Sequence, residues 1–335
     1  MMKKRVLVTG GAGFVGHHVV EKLLQDTDWD VISLDRLDVS GDLNRLHNVL
    51  EKNPEWRTRL KIVWHDLKAP LNSLVRKRIG NVDSILHLAA GSHVDRSITY
   101  PMEFIMDNVV GTANLLEYAR IYLQDFLKFF LYFSTDEVFG PASEGVYYKE
   151  NDRYDSGNPY SATKAGAEEL CVAYANTYKM PIMITHTMNV FGHRQHPEKF
   201  IPLVIDKVNK GEEITIHANK ECTKAGTRHY VHATDVADAV LFLMENGTIR
   251  EKYNIVGERE VDNLELANMI ANIMNKPLKY KMVDFHSSRP GHDLRYALCG
   301  EKMRKLGWQP RKDFHKRLQE VVEWTLENRE WLGSK

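Results

Sequence analysis

Glycines at positions 10, 13 and 16 sit between a short apolar run, Val6-Leu7-Val8, and a stretch of helical character. That order of strand, glycine turn and helix constrains the fold strongly: the chain must reverse tightly at the end of a strand and start a helix packed against it. Further apolar runs at 31–34, 61–64, 84–88, 129–134 and 182–187 read as strands, with helices expected over 16–26, 102–123 and 161–178. Strand alternating with helix argues for an α/β chain whose parallel sheet is covered on both faces. Beyond about 189 the texture changes to Pro, Gly, charge and shorter segments, yet 234–245 and 253–256 read as a helix and strand able to rejoin the sheet. The expected domains are therefore 1–189 with about 231–256, and a smaller, sequence-discontinuous C-terminal lobe from about 190–230 and 257–330.

Lys+Arg and Asp+Glu balance at 45 each, so global charge selects neither nucleic acid nor an anionic membrane as partner. The basic stretch 302–316 carries mixed charge and Trp308 and reads as a solvated surface. Cys171, Cys222 and Cys299 are widely separated, which fits structural thiols in a reducing compartment. The N-terminus passes straight into Val6, too early for a signal-peptide core, and no run approaches the roughly 20 apolar residues that span a bilayer. A soluble, cytoplasmic protein is expected. His193 with His196, or His286 with His292, lacks further ligands at zinc-like spacing, so no metal is expected.

The glycine turn is suited to a dinucleotide. Glycines let backbone N–H groups approach a pyrophosphate, and the helix N-terminus adds partial positive charge. Asp35 follows Gly16 by 19 residues at the end of the second strand, where a carboxylate accepts hydrogen bonds from ribose hydroxyls and repels the extra phosphate of NADP. NAD is the expected cofactor, with one complication: Arg36, beside it, is a residue type able to accept that phosphate. Asp66-Leu67, after the third strand, is either an adenine contact or a solvent-facing turn.

Ser134-Thr135-Asp136-Glu137 lies at the end of the fifth strand, and Tyr160 and Lys164 follow one helical turn apart. A lysine ammonium near a tyrosine stabilises phenolate, producing a base for a sugar hydroxyl as hydride leaves. Two adjacent carboxyl groups in different environments can divide their roles, one protonated as acid and one ionised as base. Removing water from a sugar needs that division.

Together these residues resemble extended short-chain dehydrogenases/reductases, specifically nucleotide-sugar 4,6-dehydratases of the dTDP-glucose type. The resemblance runs through TGGAGFVG at 9–16, LAAGSHVDRSI at 88–98, STDEVFG at 134–140, PYSATKA at 159–165, PEKFIP at 197–202 and RPGHDLRYA at 289–297. It implies a Rossmann-type doubly wound sheet and a redox-neutral cycle. Tyr160, assisted by Lys164 and Thr135, would deprotonate the 4-hydroxyl as hydride passes to NAD; Glu137 would take the 5-proton; Asp136 would protonate the departing 6-hydroxyl; hydride would return to the 6-position. By the same resemblance Gly10, Gly13, Phe14, Val15, Asp35, Ser40, Asp66, Leu67, Ala89, Ser92, Tyr160 and Lys164 are NAD contacts. Ser92, Thr135, Asn189, Lys199, Phe200, Arg228, Asn263, Arg289 and His292 are implied nucleotide-sugar contacts, the cationic ones facing the diphosphate. A homodimer through a four-helix interface, from 102–123 and 161–178, is implied as well.

Four features depart from the pattern. Gly91 stands where glutamate is usual, Asp107 where threonine is common, Val190 replaces an asparagine, and the loop 217–227 is longer than the usual turn and is expected to border the nucleotide pocket. The competing readings are a 4-epimerase or decarboxylase, which needs Tyr160 and NAD but not both carboxylates, UDP-glucose in place of dTDP-glucose, and a non-catalytic dinucleotide-binding protein.

Overall fold

The computed structural model describes residues 3–38, 40–285 and 294–333. In the first half of the chain the strands are β1 (Arg5–Thr9), β2 (Asp30–Asp35), β3 (Leu60–Trp64), β4 (Ser84–His87), β5 (Phe129–Thr135) and β6 (Ile182–Thr187). Between them run α1 (Phe14–Asp26), α2 (Leu43–Lys52), α3 (Ser73–Ile79), α4 (Val94–Thr99), α5 (Pro101–Phe104), α6 (Gly111–Tyr122) and α7 (Pro159–Tyr178). Side chains alternate across each strand, and in the central strands both faces are buried. Val6 and Val8 pack with Val19, Val20, Leu23 and Leu24 of α1, whereas Leu7 joins the opposite core with Leu115, Leu116, Ala167 and Cys171 of α6 and α7.

The second half supplies β7 (Asn189–Phe191), α8 (Phe200–Lys210), β8 (Glu213–Ala218), β9 (Thr227–His232), α9 (Ala233–Asn246), β10 (Lys252–Ile255), β11 (Glu260–Asp262), α10 (Asn263–Ile273), β12 (Lys279–Asp284), α11 (Glu301–Leu306) and α12 (Phe314–Glu327). β10 returns to pair in parallel with β6, and α9 contributes Val236, Val240 and Leu243 to the core that α1 lines. The main sheet thus has seven strands in the order β10-β6-β5-β4-β1-β2-β3. All of its neighbours are parallel. The remaining segments form a three-stranded sheet, β11-β9-β7, and a two-stranded one, β12-β8. They share a separate core around Phe191, Ile205, Leu266, Ile270, Leu318 and Val322.

Strand order reverses between β1 and β4, so their connections leave in opposite directions and open a crevice at their carboxyl ends. Into that crevice run the glycine turn after β1, the Ala89–Ser92 segment after β4 and the Thr135–Glu137 turn after β5.

The expected single helix over 102–123 is interrupted. After α5 the chain makes a π-helical stretch, Ile105–Val110, before α6 begins at Gly111. Asn108 explains the cost: its Oδ1 accepts from Gly91 N at 2.8 Å, while its Nδ2 donates to Gly91 O at 3.1 Å and to Thr163 Oγ1 at 2.9 Å. The widened turn lets one buried amide tie the loop after β4 to α7, a function typical of such bulges.

Candidate active site

The crevice is a cleft of about 670 Å³ between the main sheet and the second core. At one end, Gly10 takes φ of +71°, and a Cβ there would stand 2.8 Å from Ala89 N, so only glycine fits. Gly13 is the N-cap of α1 with no side-chain hydrogen bond, and Gly13, Phe14 and Val15 line the cleft, leaving that helix end for an anion. Asp35 Oδ2 accepts from Ala12 N at 3.1 Å and Oδ1 from Leu37 N at 2.9 Å, which aims the carboxyl while each oxygen keeps acceptor capacity. Ser40, Asp66, Leu67, Ala89 and Ser92 line the same surface. A helix N-terminus without a side-chain cap, a glycine with no room for a side chain and an oriented strand-end carboxyl are what a dinucleotide requires.

Arg36 resolves differently from its expected alternative. Its guanidinium is held by Asp107, with Nη1 to Oδ1 at 2.5 Å and Nη2 to Oδ2 at 2.8 Å, and Nε donates to Asp38 Oδ2 at 2.5 Å.

At the centre, β5 delivers Thr135 as the N-cap of a 3-10 turn, Asp136–Phe139. Thr135 Oγ1 donates to Asp136 Oδ1 at 3.0 Å and accepts from Glu137 N at 3.4 Å. Asp136 is 3% exposed, and its Oδ2 is buried with no hydrogen-bond partner. Burial, then the charge of Glu137, pushes its carboxyl up to about 7, against the Thr135 hydrogen bond and the Arg228 guanidinium. Glu137 Oε2 accepts from Asn158 Nδ2 at 3.3 Å. Asn158 also caps α7 in a capping box with Ser161, so one side chain starts the helix and orients the glutamate.

Tyr160 and Lys164 both line the cleft from the first turns of α7. Their electrostatics differ from the expectation of a phenol drawn down by lysine. Burial, and next the Glu137 charge, raise the Tyr160 phenol well above its ordinary value, with a hydrogen bond to Thr135 opposing. Lys164 Nζ donates to Phe133 O at 2.6 Å and lies over the Tyr132 ring at 4.4 Å. Burial pushes that ammonium down to about 8.

Among the expected substrate residues, Ser92, Thr135, Asn189, Lys199 and Phe200 line the cleft, and Lys199 Nζ reaches Ser92 O at 3.4 Å. Arg228 and Asn263 are not in the lining. Arg228 donates to Thr227 O and Leu294 O, and Asn263 Oδ1 accepts from the hydroxyl of Tyr230, which does line it. Arg289 and His292 lie outside the described residues. Among the described residues none of 217–227 lines the cleft: the loop folds on Asn219, whose Oδ1 accepts from Thr223 N and Lys224 N.

The structure also brings in residues not singled out from sequence. Glu198 joins the two rims, 3.2 Å from Arg96 Nη2, 3.5 Å from His93 Nε2 and 3.7 Å from His196 Nδ1. The only signal of His93, Arg96 and Glu198 was membership of the HVDRSI and PEKFIP motifs, whereas His196 stood out from sequence only as a candidate metal ligand. His193 instead stacks on Trp324 with ring centroids 4.8 Å apart, and among the described residues no group of three His, Cys, Asp or Glu side chains is placed to hold a metal.

Comparison with known proteins agrees with this geometry. The family described as GDP-mannose 4,6 dehydratase matches residues 7–321. A dTDP-glucose 4,6-dehydratase of Neisseria gonorrhoeae is 36% identical, over 98% of this chain and 97% of its own. A trifunctional UDP-glucose 4,6-dehydratase, epimerase and reductase of Arabidopsis thaliana is similar at 35% identity over 98% of this chain and 48% of its own. Among solved structures, the Streptomyces venezuelae dTDP-glucose 4,6-dehydratase DesIV, with NAD bound, superposes with a TM-score of 0.88 at 35% identity over 98% of both chains.

Proposed function

The chain belongs to the GDP-mannose 4,6-dehydratase family, and from that premise we propose that it is an NAD-dependent hydro-lyase converting dTDP-glucose to its 4-keto-6-deoxy derivative. The observation that carries the reading is Asp136: a buried carboxyl with one unpartnered oxygen, raised to about 7, directly beside a second carboxyl in a dinucleotide cleft. A 4-epimerase or decarboxylase has no use for that pair.

When bound, NAD supplies the hydride acceptor for sugar C4 and the hydride donor for C6, so it ends as it began. Gly10, Gly13, Phe14 and Val15 hold the pyrophosphate, and Asp35 the ribose. Tyr160 takes the proton of the 4-hydroxyl, with Thr135 hydrogen-bonded to the phenol and the buried Lys164 ammonium one helical turn away supporting the phenolate. Oxidation at C4 acidifies the C5 proton, and Glu137, oriented by Asn158, removes it. Asp136 gives its proton to the 6-hydroxyl, which departs as water; as hydride is returned to C6, Glu137 gives the proton it took back to C5, completing the 4-keto-6-deoxy sugar. Near neutral pH a carboxyl at about 7 both carries that proton and releases it readily.

Residues 1–189 with 231–256 serve the cofactor, and 190–230 with 257–330 the nucleotide sugar; Asn189, Lys199 and Phe200 face the latter directly, while Asn263 acts through the Tyr230 hydroxyl and Arg228 through its charge on Asp136 and Tyr230. Met102, Ile105, Met106, Ile121, Tyr122 and Tyr178 are exposed on α5, the π-turn, α6 and α7, which supports a homodimer packed through those helices. Free Cys171, Cys222 and Cys299 support a reducing, cytoplasmic setting. No described helix is long and apolar enough to cross a membrane.

The test is separate incubation with dTDP-glucose, UDP-glucose, CDP-glucose and GDP-mannose, followed by mass spectrometry. Loss of one water from dTDP-glucose is expected. Loss from UDP-glucose alone would replace the nucleotide, and no loss from any, despite bound NAD, would overturn the dehydratase reading.

A further inference from the structure

Two of the departures noted in the sequence touch each other. A Cβ at Gly91 would stand 3.1 Å from Phe104 Cδ1 and 3.2 Å from Asp107 Oδ2. Glycine at 91 therefore leaves the room that the aspartate at 107 occupies. From the π-turn, Asp107 reaches the end of β2 and takes both Nη atoms of Arg36 in a two-pronged ion pair. Asp38 takes the Nε edge, Asp66 stands 3.8 Å from Nη1, and Lys68 Nζ lies 3.2 Å from Asp107 Oδ1. Asp35, Arg36, Asp38, Asp66 and Asp107 all line the cleft, at the end where Asp35 receives the ribose. The Asp107 side chain is 9% exposed, so water competes weakly for the pair.

We propose that Asp107 sets the dinucleotide choice of this chain by occupying Arg36, the guanidinium that directly follows Asp35 and is the residue type able to bind a 2′-phosphate. The inference rests on the NAD reading of the site. An arginine next to the strand-end carboxyl is the residue type that accommodates the extra phosphate of NADP. A guanidinium binds phosphate through the same paired N–H groups that it offers a carboxylate. Here those groups are already spent. A 2′-phosphate entering this corner would meet the carboxyl groups of Asp35, Asp38, Asp66 and Asp107 with Arg36 committed and Lys68 drawn to Asp107. Arg36 in its ion pair thus opposes the cofactor its identity would otherwise recruit.

Freeing the guanidinium reverses the argument. Asp107→Asn keeps the shape and one acceptor but removes the charge and the second strong prong; Asp107→Thr installs the residue common in the resembling dehydratases and so keeps a side chain the fold accommodates. The experiment equilibrates purified holoenzyme with a large equimolar excess of NADH and NADPH, removes unbound dinucleotide, denatures the protein and quantifies the released cofactor by mass spectrometry. Wild type is expected to hold NAD(H). In both variants the bound NADP(H) to NAD(H) ratio should rise at least tenfold, and Arg36→Met added to Asp107→Asn should abolish the rise. An unchanged ratio in both variants while NAD(H) stays bound overturns the proposal, as does a rise that survives Arg36→Met. Wild type holding NADP(H), or no dinucleotide, would overturn the cofactor reading itself, a result distinct from either.

Discussion

Replacing Asp136 with asparagine should separate chemistry from stability at one residue. The native carboxyl is raised from 3.8 to about 7 by burial and by Glu137. In the unfolded chain it ionises near its ordinary value, so the folded state alone retains the proton between those limits. Its contribution is therefore fully present below the unfolded pKa and lost as pH rises through the folded one. A shift of roughly three units corresponds to a penalty on the order of 4 kcal/mol above pH 7, at about 1.4 kcal/mol per unit. Near pH 5 the penalty is roughly half that or less, because the unfolded carboxyl is little more than one unit past its midpoint. Asparagine is neutral at every pH and nearly the same shape.

Asp136→Asn should accordingly be more stable than wild type, by on the order of 4 kcal/mol at pH 8 and by roughly half that or less at pH 5. The same variant should lose about 100-fold or more in water elimination, the range for removing a general acid. A substrate whose 6-substituent leaves without a proton, such as fluoride, should restore much of that loss. The assays are denaturant unfolding at the two pH values, and single-turnover elimination with both substrates. A stability gap that does not widen between pH 5 and pH 8 would refute the raised carboxyl. Equal impairment with hydroxyl and fluoride would refute its role as acid.

Glu137→Gln should keep NAD bound and still generate NADH absorbance on mixing with substrate, but should not release water; normal product from this variant would remove Glu137 from the base role. Asn108→Ala breaks the buried amide's bonds to Gly91 and Thr163 and should cost about 2–3 kcal/mol in denaturant unfolding. A cost under about 0.5 kcal/mol would mean that the π-turn is held by something else. His17, His18, His87, His193 and His232 are all driven down by burial, so the folded state keeps them neutral where the unfolded chain would protonate them. Their stability contribution is present above pH 6.5 and drains below it, so stability should fall as the pH drops from 6.5 to 5.5, against the opposite effect of Asp136. A flat unfolding profile over that interval would show that these histidines reach water.

The fold was readable because its signals are periodic and local. Val6, Leu7 and Val8 are all apolar because a central parallel strand is buried on both faces, and the glycines at 10, 13 and 16 mark a turn whose geometry excludes side chains. The π-turn at Ile105–Val110 was not readable, since Ile105, Met106, Val109 and Val110 suit an ordinary helix and the turn's cause, Asn108 bonding to Gly91, is a contact between distant segments. The short helix Val94–Thr99 was missed for a similar reason. Its Ser97 accepts from Tyr160 N at 3.1 Å, so its place is set by α7 rather than by its own periodicity.

In the site, residue type and spacing placed Thr135, Asp136, Glu137, Tyr160 and Lys164 on one cleft but said nothing of which atoms are already spent. Tyr160 and Lys164 do share the first turns of α7, yet the ammonium donates to Phe133 O while the phenol answers to Thr135 and Glu137. A hydroxyl has a single proton to donate, and Thr135 commits it to Asp136 Oδ1 at 3.0 Å while bonded to Tyr160 as well. When Tyr160 becomes phenolate it can only accept, so it competes with Asp136 for that proton. Losing the Thr135 bond would take away one of the influences holding the Asp136 carboxyl down, and so favour its protonated form. On the proposed mechanism the base of the oxidation step and the acid of the elimination step are coupled through one threonine: once Tyr160 has taken the 4-hydroxyl proton it is a phenol again and no longer draws on Thr135, whose proton returns to Asp136 and loosens the acid's hold on its own proton as the hydroxyl leaves.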